Sequence, residues 1–263
     1  AIDKALIDRA SSLKFIARAG SGLDKMDVPY LEDKGVQFVN APEGNRDSVG
    51  EHAVGMLLSL LHRLNLADLE VREKIWDREG NRGMELKGKT VGIYGYGFMG
   101  SALAEKLTGF GCHVIAYDKF KTGYGSDIVE ECSLEVFQQR TQILSIHLPL
   151  APDTANLFTL DYLREFPELM IILNTARGGV LDTHAVISLL REGRLHGVGL
   201  DVLQNEKLGQ MTTAELADFE YLKSNDRVML TPHVAGWSHE SYVRINRVMV
   251  SKLEALGLLG AKL

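Results

Sequence analysis

The chain has 263 residues, 45% of them hydrophobic, which is enough for one large or two modest domains with a sizeable core. A net charge of −6 and the lack of any long Lys/Arg run argue against a phosphate-backbone partner, so no nucleic acid is expected. The longest apolar stretches, Met56 to Leu61 and Met170 to Leu173, fall far below the roughly 18 residues that a membrane span needs, so no membrane partner is expected either.

Ala1 to Arg9 is amphipathic and carries two aspartates, so no secretory or transit peptide is expected there. Leu13 to Ala17 and Val36 to Val39 read as short buried strands, with Gly20-Ser21-Gly22 as a tight loop after the first. From Ser48 to about Arg72, Val49, Ala53, Met56, Leu57, Leu60, Leu61 and Leu64 recur at helical spacing. Ser48 is the expected N-cap, with Glu51 completing a capping box, and this helix is the expected bridge between domains.

Strand-like runs follow at Val91 to Tyr94, Val114 to Tyr117, Ile143 to Leu148, Met170 to Asn174, Val198 to Val202 and Val228 to Leu230. Helical patterns fill most intervals, among them Ser101 to Thr108 and Asp182 to Arg191, the latter capped by Asp182. Alternating β and α segments with near-continuous apolar strands predict an α/β fold, a doubly wound parallel sheet with helices on both faces. A last helix, Ser241 to Leu259, is long enough to cross back to the first domain. The expected division is 1–54, 55–238 and a returning helix in 239–263. Cys112 and Cys132 show no CxxC spacing and no nearby His cluster, so they read as reduced thiols of a cytoplasmic protein, and no metal site is expected.

After the run Thr90 to Tyr94, the residues Gly95-Tyr96-Gly97-Phe98-Met99-Gly100 spell GxGxxG. In a dinucleotide-binding turn the first glycine makes the bend, the second lets the backbone approach a pyrophosphate, and the third lets helix pack on strand. Asp118 closes the next strand, 23 residues after Gly95, where a carboxylate accepts hydrogen bonds from an adenosine ribose and repels a 2′-phosphate. That favours NAD over NADP, with Lys119 and Lys121 as cations placed to soften the repulsion.

Ligands of an open α/β sheet bind beyond the carboxyl ends of the strands, which directs attention to Arg177, Glu206 and His233. Arg177 lies in Asn174-Thr175-Ala176-Arg177-Gly178-Gly179, where its planar fork suits a carboxylate. Glu206 follows one strand and His233 the next; a carboxylate behind an imidazole holds its tautomer and suits a base that takes a hydroxyl proton. Singly, Arg177 reads equally as a turn-capping surface residue and His233 as a structural histidine, so it is the constellation that points to chemistry. His147, at a strand end before Pro149, is placed to line a cofactor, whereas His52 on a helix reads as a packing or surface residue. Trp237 reads either as a cap on a substrate pocket or as an interdomain core residue.

Taken together, Ala19-Gly20-Ser21-Gly22-Leu23-Asp24, Gly95 to Gly100, His147-Leu148-Pro149-Leu150, Asn174 to Asp182, Leu200-Asp201-Val202 with Glu206, and Thr231-Pro232-His233-Val234-Ala235-Gly236 resemble the D-isomer-specific 2-hydroxyacid dehydrogenases. Within that family they resemble the branch that includes D-3-phosphoglycerate dehydrogenase. The resemblance implies a Rossmann cofactor domain beside a smaller flavodoxin-like substrate domain, with the usual first βαβ portion of the latter absent ahead of Leu13. It implies that Arg177 binds the substrate carboxylate and carbonyl, that His233 is the acid/base, and that Glu206 tunes it. NAD contacts are implied at Gly95, Gly97, Phe98, Met99, Gly100, Asp118, His147, Leu148, Pro149, Thr154, Thr175, Ala176, Asp201, His233 and Gly236. Substrate contacts are implied at Arg18, Gly20, Ser21, Gly22, Arg177 and His233, with Arg46 as a further cation for a phosphate.

One departure is Lys207, where the family motif usually has Pro after the acid, so a differently shaped loop from Gln204 to Gly209 is expected. The expected partner is a small 2-hydroxy or 2-oxo acid, first 3-phosphoglycerate, as in serine biosynthesis, with glyoxylate or hydroxypyruvate reduction as the alternative. A non-catalytic NAD(H)-sensing protein of the same fold is the reading from a different class. The resemblance also implies a homodimer through the segment from Leu64 to Leu86.

Overall fold

Short apolar runs separated by capped helices form two separate parallel sheets. The computed structural model describes residues 1–258, which fall into two compact units: residues 1–48 with 236 onward, and residues 49–235.

The smaller unit contains α1 (Lys4–Arg9), β1 (Phe15–Arg18), α2 (Val28–Asp33) and β2 (Gln37–Asn40). The two strands pair in parallel, from Phe15 opposite Gln37 to Arg18 opposite Asn40. Each short helix is fixed at its start by an aspartate: Asp3 accepts from the Leu6 N–H and Asp27 from the Tyr30 N–H. Leu31 is fully buried, with Ile7, Met26 and Val36 around it.

α3 (Pro42–Leu61) crosses from the smaller unit into the larger. The expected start at Ser48 is not observed, because Pro42 opens the helix. Proline is pre-set for the first turn, and its missing N–H has no intrahelical partner there anyway. Nor does one helix continue to Arg72. Arg63 adopts a left-handed φ of 52° and separates α3 from α4 (Leu64–Arg72). No residue of α4 is buried, and Leu64, Leu69 and Val71 are exposed, as are Ile75 and Trp76 just beyond it.

The rest of the larger unit runs β3 (Thr90–Tyr94), α5 (Phe98–Leu107), β4 (His113–Tyr117), β5 (Glu130–Glu131), α6 (Leu134–Arg140), β6 (Ile143–Ile146), α7 (Leu160–Arg164), β7 (Ile171–Asn174), α8 (Thr183–Arg191), β8 (Gly197–Leu200), α9 (Thr213–Ser224) and β9 (Val228–Leu230). All seven strands of this sheet are parallel, in the order β5-β4-β3-β6-β7-β8-β9. Strand residues alternate between two cores, as a pleat requires. Val91, Ile93, Ile143, Ile171 and Leu173 meet α3 and α5, whereas Tyr94, Leu144, Ile146 and Ile172 meet the α7–α8 side. Met56 and Leu57 of α3 are almost wholly buried, each worth about 1.5–3 kcal/mol in apolar area removed from water.

The predicted strands are present, with β6 ending at Ile146 rather than Leu148 and β8 at Leu200 rather than Val202. α8 starts where expected, Asp182 accepting from the His184 N–H at 2.9 Å. α10 (His239–Ala255) begins earlier than Ser241, because Ser238 caps it and Ser241 answers as the other half of a capping box. The predicted helix end at Leu259 lies outside the described residues. Among the described residues no helix is long and apolar enough to cross a membrane.

Candidate active site

The chain moves outward from β3 to β4 and β5, then returns to place β6 on the other side of β3. This reversal opens a crevice at the carboxyl ends of β3 and β6, the usual ligand position of such sheets. Gly95 sits there with φ 95°, and a Cβ on it would lie 2.7 Å from the His147 carbonyl oxygen. A Cβ on Gly100 would press into the Gly95 carbonyl and stand 2.9 Å from Ile93 Cγ2. Gly97 is different: among the described residues, no atom lies within 4 Å of the position its Cβ would take. Gly97 is also the N-cap of α5, and no side chain caps that helix. Phe98 and Met99 therefore open the helix with their N–H groups in its first turn, Phe98 exposed and Gly100 buried.

Asp118, at the end of β4, accepts from the N–H groups of Tyr96 (2.8 Å), Phe120 (2.9 Å) and Lys121 (3.0 Å). The two lysines beside it point elsewhere. Lys119 pairs with Asp153 at 2.9 Å, and Lys121 donates to the Tyr96 carbonyl at 3.2 Å.

On the other lip, His147 bonds Ser145 Oγ through Nε2 at 2.8 Å, and burial pushes its imidazole down to about 4, so the ring is neutral. Leu148 is half-buried and Pro149 exposed. Thr154 turns its hydroxyl inward, donating to the Pro149 carbonyl (2.6 Å) and accepting from the Ala151 N–H (2.8 Å), so it shapes this loop. Thr175, just past β7, is 8% exposed, and its hydroxyl has no hydrogen-bond partner among the described residues. A buried hydroxyl of this kind is expected to meet a bound group, whether a water molecule or a ligand.

Arg177 rises from the same loop. Asn174, 1% exposed, ties the loop down by accepting from the Ala176 N–H (3.0 Å) and donating to the Arg177 carbonyl (2.9 Å). Gly178 packs directly against the backbone of Leu203 and Gln204, which holds the Arg177 loop against the loop that carries Glu206.

His233 follows β9, and its Nδ1 lies 2.8 Å from Glu206 Oε1, both side chains about half exposed. Its backbone is left-handed (φ 56°), which is uncommon for a residue with a Cβ and marks a position its surroundings over-determine. The cause is Asp201, whose side chain is fully buried. Its carbonyl accepts the His233 N–H at 2.8 Å. Its carboxylate accepts Thr231 Oγ1–H (2.6 Å), Val234 N–H (2.9 Å) and Ala235 N–H (2.9 Å). His52 Nε2 stands 3.1 Å from Thr231 Oγ1, so this helical histidine backs the same turn.

Lys207 does not displace Glu206. Its N–H donates to Asn205 Oδ1 at 3.0 Å, and Asn205 Nδ2 reaches Glu215 Oε1 of the α9 capping box at 3.2 Å, an Asx turn that shapes the loop where the family motif has a proline. Residue-by-residue reading passed over Asn174, Asn205 and Thr231. The available signal was an amide or hydroxyl placed directly at the end of an apolar run, where side chain to backbone bonds set turns.

The remaining expected residues lie in the smaller unit. There Arg18 Nε donates to the Gly22 carbonyl, and Asn40 Nδ2 holds the Ser21 carbonyl at 2.7 Å, so the Gly20 to Gly22 loop is tied at both ends. Gly236 packs on the Asn45 side chain. Trp237 is exposed and meets Tyr242 edge to face at 5.9 Å.

Three features fit a dinucleotide: the space over Gly97, the uncapped start of α5 and the orphan hydroxyl of Thr175. Comparison with known proteins agrees. The family model for D-isomer specific 2-hydroxyacid dehydrogenase, NAD binding domain, matches residues 54–235. The chain is 35% identical over 245 residues to D-3-phosphoglycerate dehydrogenase of Mycobacterium tuberculosis, covering 92% of this chain and 45% of that protein. It is 33% identical over 249 residues to hydroxypyruvate reductase of Thermotoga maritima, covering 94% of this chain and 79% of the other. The chain thus spans less than half the length of the first relative. Among solved structures it superposes on D-lactate dehydrogenase of Aquifex aeolicus, complexed with NAD and lactic acid, with a TM-score of 0.84 and 27% identity, over 98% of this chain and 80% of that one. The chain belongs to the D-isomer specific 2-hydroxyacid dehydrogenase family, and its larger unit carries that family's NAD binding domain.

Proposed function

We propose that the protein is an NAD-dependent oxidoreductase that interconverts a D-2-hydroxy acid and its 2-oxo acid, with 3-phosphoglycerate and phosphohydroxypyruvate as the first candidate pair. The observation that carries this reading is the 2.8 Å contact between His233 Nδ1 and Glu206. With Nδ1 engaged, Nε2 is the nitrogen left to exchange a proton with the substrate hydroxyl. Glu206 fixes the ring and stabilises the imidazolium that forms on oxidation. Arg177, whose Nη1 donates to the Ala176 carbonyl at 2.6 Å in this structure, is the residue that the resemblance assigns to the substrate carboxylate. When bound, the nicotinamide supplies the hydride acceptor or donor. General acid–base help of this kind accounts for about 10²–10⁴ in rate. Arg18, Gly20, Ser21 and Gly22 are proposed, on the resemblance, to contribute to substrate binding, and Gly236 to cofactor binding.

The D-3-phosphoglycerate dehydrogenase relatives support the first candidate, which would place the protein in serine biosynthesis. The greater coverage of hydroxypyruvate reductase favours hydroxypyruvate or glyoxylate reduction as the second. NADH oxidation with phosphohydroxypyruvate, hydroxypyruvate, glyoxylate and pyruvate ranks them. NADH binding without turnover on any of the four would favour an NAD(H)-sensing protein instead. We also propose a homodimer through the segment from Leu64 to Leu86, supported by the exposed Leu69, Val71, Ile75 and Trp76 on it. Light scattering after size exclusion tests this, and a monomer would refute it.

A further inference from the structure

A 2′-phosphate on a cofactor needs donors and a neighbouring cation at the end of the second strand of the dinucleotide fold. The loop after β4 has both, and both are occupied by the protein's own carboxylates. The N–H groups of Tyr96, Phe120 and Lys121 converge within 3.0 Å of the Asp118 carboxylate, forming a nest whose anion is already built in. Lys119, the adjacent cation, reaches instead across to Asp153 on the loop after β6, and Lys121 turns back to the Tyr96 carbonyl.

We propose that Asp153 is a specificity-determining residue for the cofactor: by holding Lys119 away from the Asp118 nest, it denies a 2′-phosphate its counter-charge and so reinforces the preference for NAD. Asp153 needs no contact with the cofactor for this; it acts through Lys119. The hydrogen bond between them raises the Lys119 ammonium above its ordinary pKa and lowers the Asp153 carboxyl, so both remain charged at neutral pH. The inference rests on the NAD binding domain and is independent of which 2-oxo acid is turned over.

The test is calorimetric binding of two fragments, 5′-AMP and adenosine 2′,5′-bisphosphate, to the whole protein, alongside NAD and NADP. Asp153→Asn should bind the bisphosphate about three- to fivefold more tightly, the scale on which one exposed ion pair acts, with AMP unchanged. The gain should vanish in Lys119→Ala/Asp153→Asn, and it should fade as salt is raised, because both groups are exposed. If Asp153 merely ordered its loop, AMP and bisphosphate would shift together. Parallel shifts, no shift, or a gain that survives Lys119→Ala would each overturn the proposal. Failure of AMP to bind the unsubstituted protein would overturn the cofactor site itself.

Discussion

Gly97→Ala should separate binding from folding at the dinucleotide turn. Gly97 has φ −89° and ψ −155°, which alanine adopts without strain, and its Cβ would meet no atom of the described residues within 4 Å. Alanine is a poorer N-cap than glycine by roughly 0.5–1 kcal/mol, but it loses less chain entropy on folding, a gain of about 0.4–1 kcal/mol, so net stability should stay within about 0.5 kcal/mol. At the proposed cofactor site, the methyl group would project into the space through which a pyrophosphate approaches the start of α5. Displacing that contact should weaken NAD binding at least tenfold, or about 1.4 kcal/mol. Gly100→Ala should do the reverse. Its Cβ collides with the Gly95 carbonyl and with Ile93, and relieving such overpacking costs about 1–3 kcal/mol of stability. The assay pairs calorimetric NAD titration with urea unfolding for each variant. Gly97→Ala binding NAD within twofold of the unsubstituted protein would refute the assignment of this turn to the pyrophosphate.

Asp201→Asn should destabilise the larger unit by about 2–4 kcal/mol, because an amide cannot accept from Thr231, Val234 and Ala235 together, and kcat should fall as the His233 turn loosens; urea midpoints and NADH oxidation read both. Thr175→Val removes a hydroxyl that has no partner among the described residues, so stability should hold or rise by up to about 1 kcal/mol while NAD affinity drops about three- to tenfold, as calorimetry would show. The His147 ring, neutral in the folded protein down to about 4, takes up its proton more readily when unfolded, near 6.5. Its contribution is therefore intact at neutral pH and lost as pH falls through that window, by about 2 kcal/mol given the residue's partial exposure. Urea unfolding from pH 7 to 4 should show a shallower decline in His147→Asn.

The large sheet was legible because its strands are buried on both faces, which leaves uninterrupted runs such as Ile171 to Asn174. The glycine turn was legible because each glycine answers a separate steric demand. Boundaries set by helix ends were less so. Periodicity reads apolar faces, and the first turn of α3 from Pro42 is polar, while the break at Arg63 lies in a left-handed residue that carries no glycine signal. Arg177, Glu206 and His233 stood out at strand ends. What holds them did not, since Asn174, Asn205 and Thr231 act through side chain to backbone bonds that only the folded turns define. The Lys119–Asp153 pair joins residues 34 apart in sequence, beyond the reach of any local pattern.

The most direct test of the central claim is the single-turnover rate of NADH oxidation by a 2-oxo acid that the protein accepts, compared between the unsubstituted protein and His233→Ala at saturating NADH. A loss of about 10²–10⁴ in that rate is expected, far beyond any change in NADH affinity from the lost His233 contact, the signature of a missing acid/base. Turnover within a fewfold of the unsubstituted protein would contradict it and remove His233, with Glu206 behind it, from the chemistry.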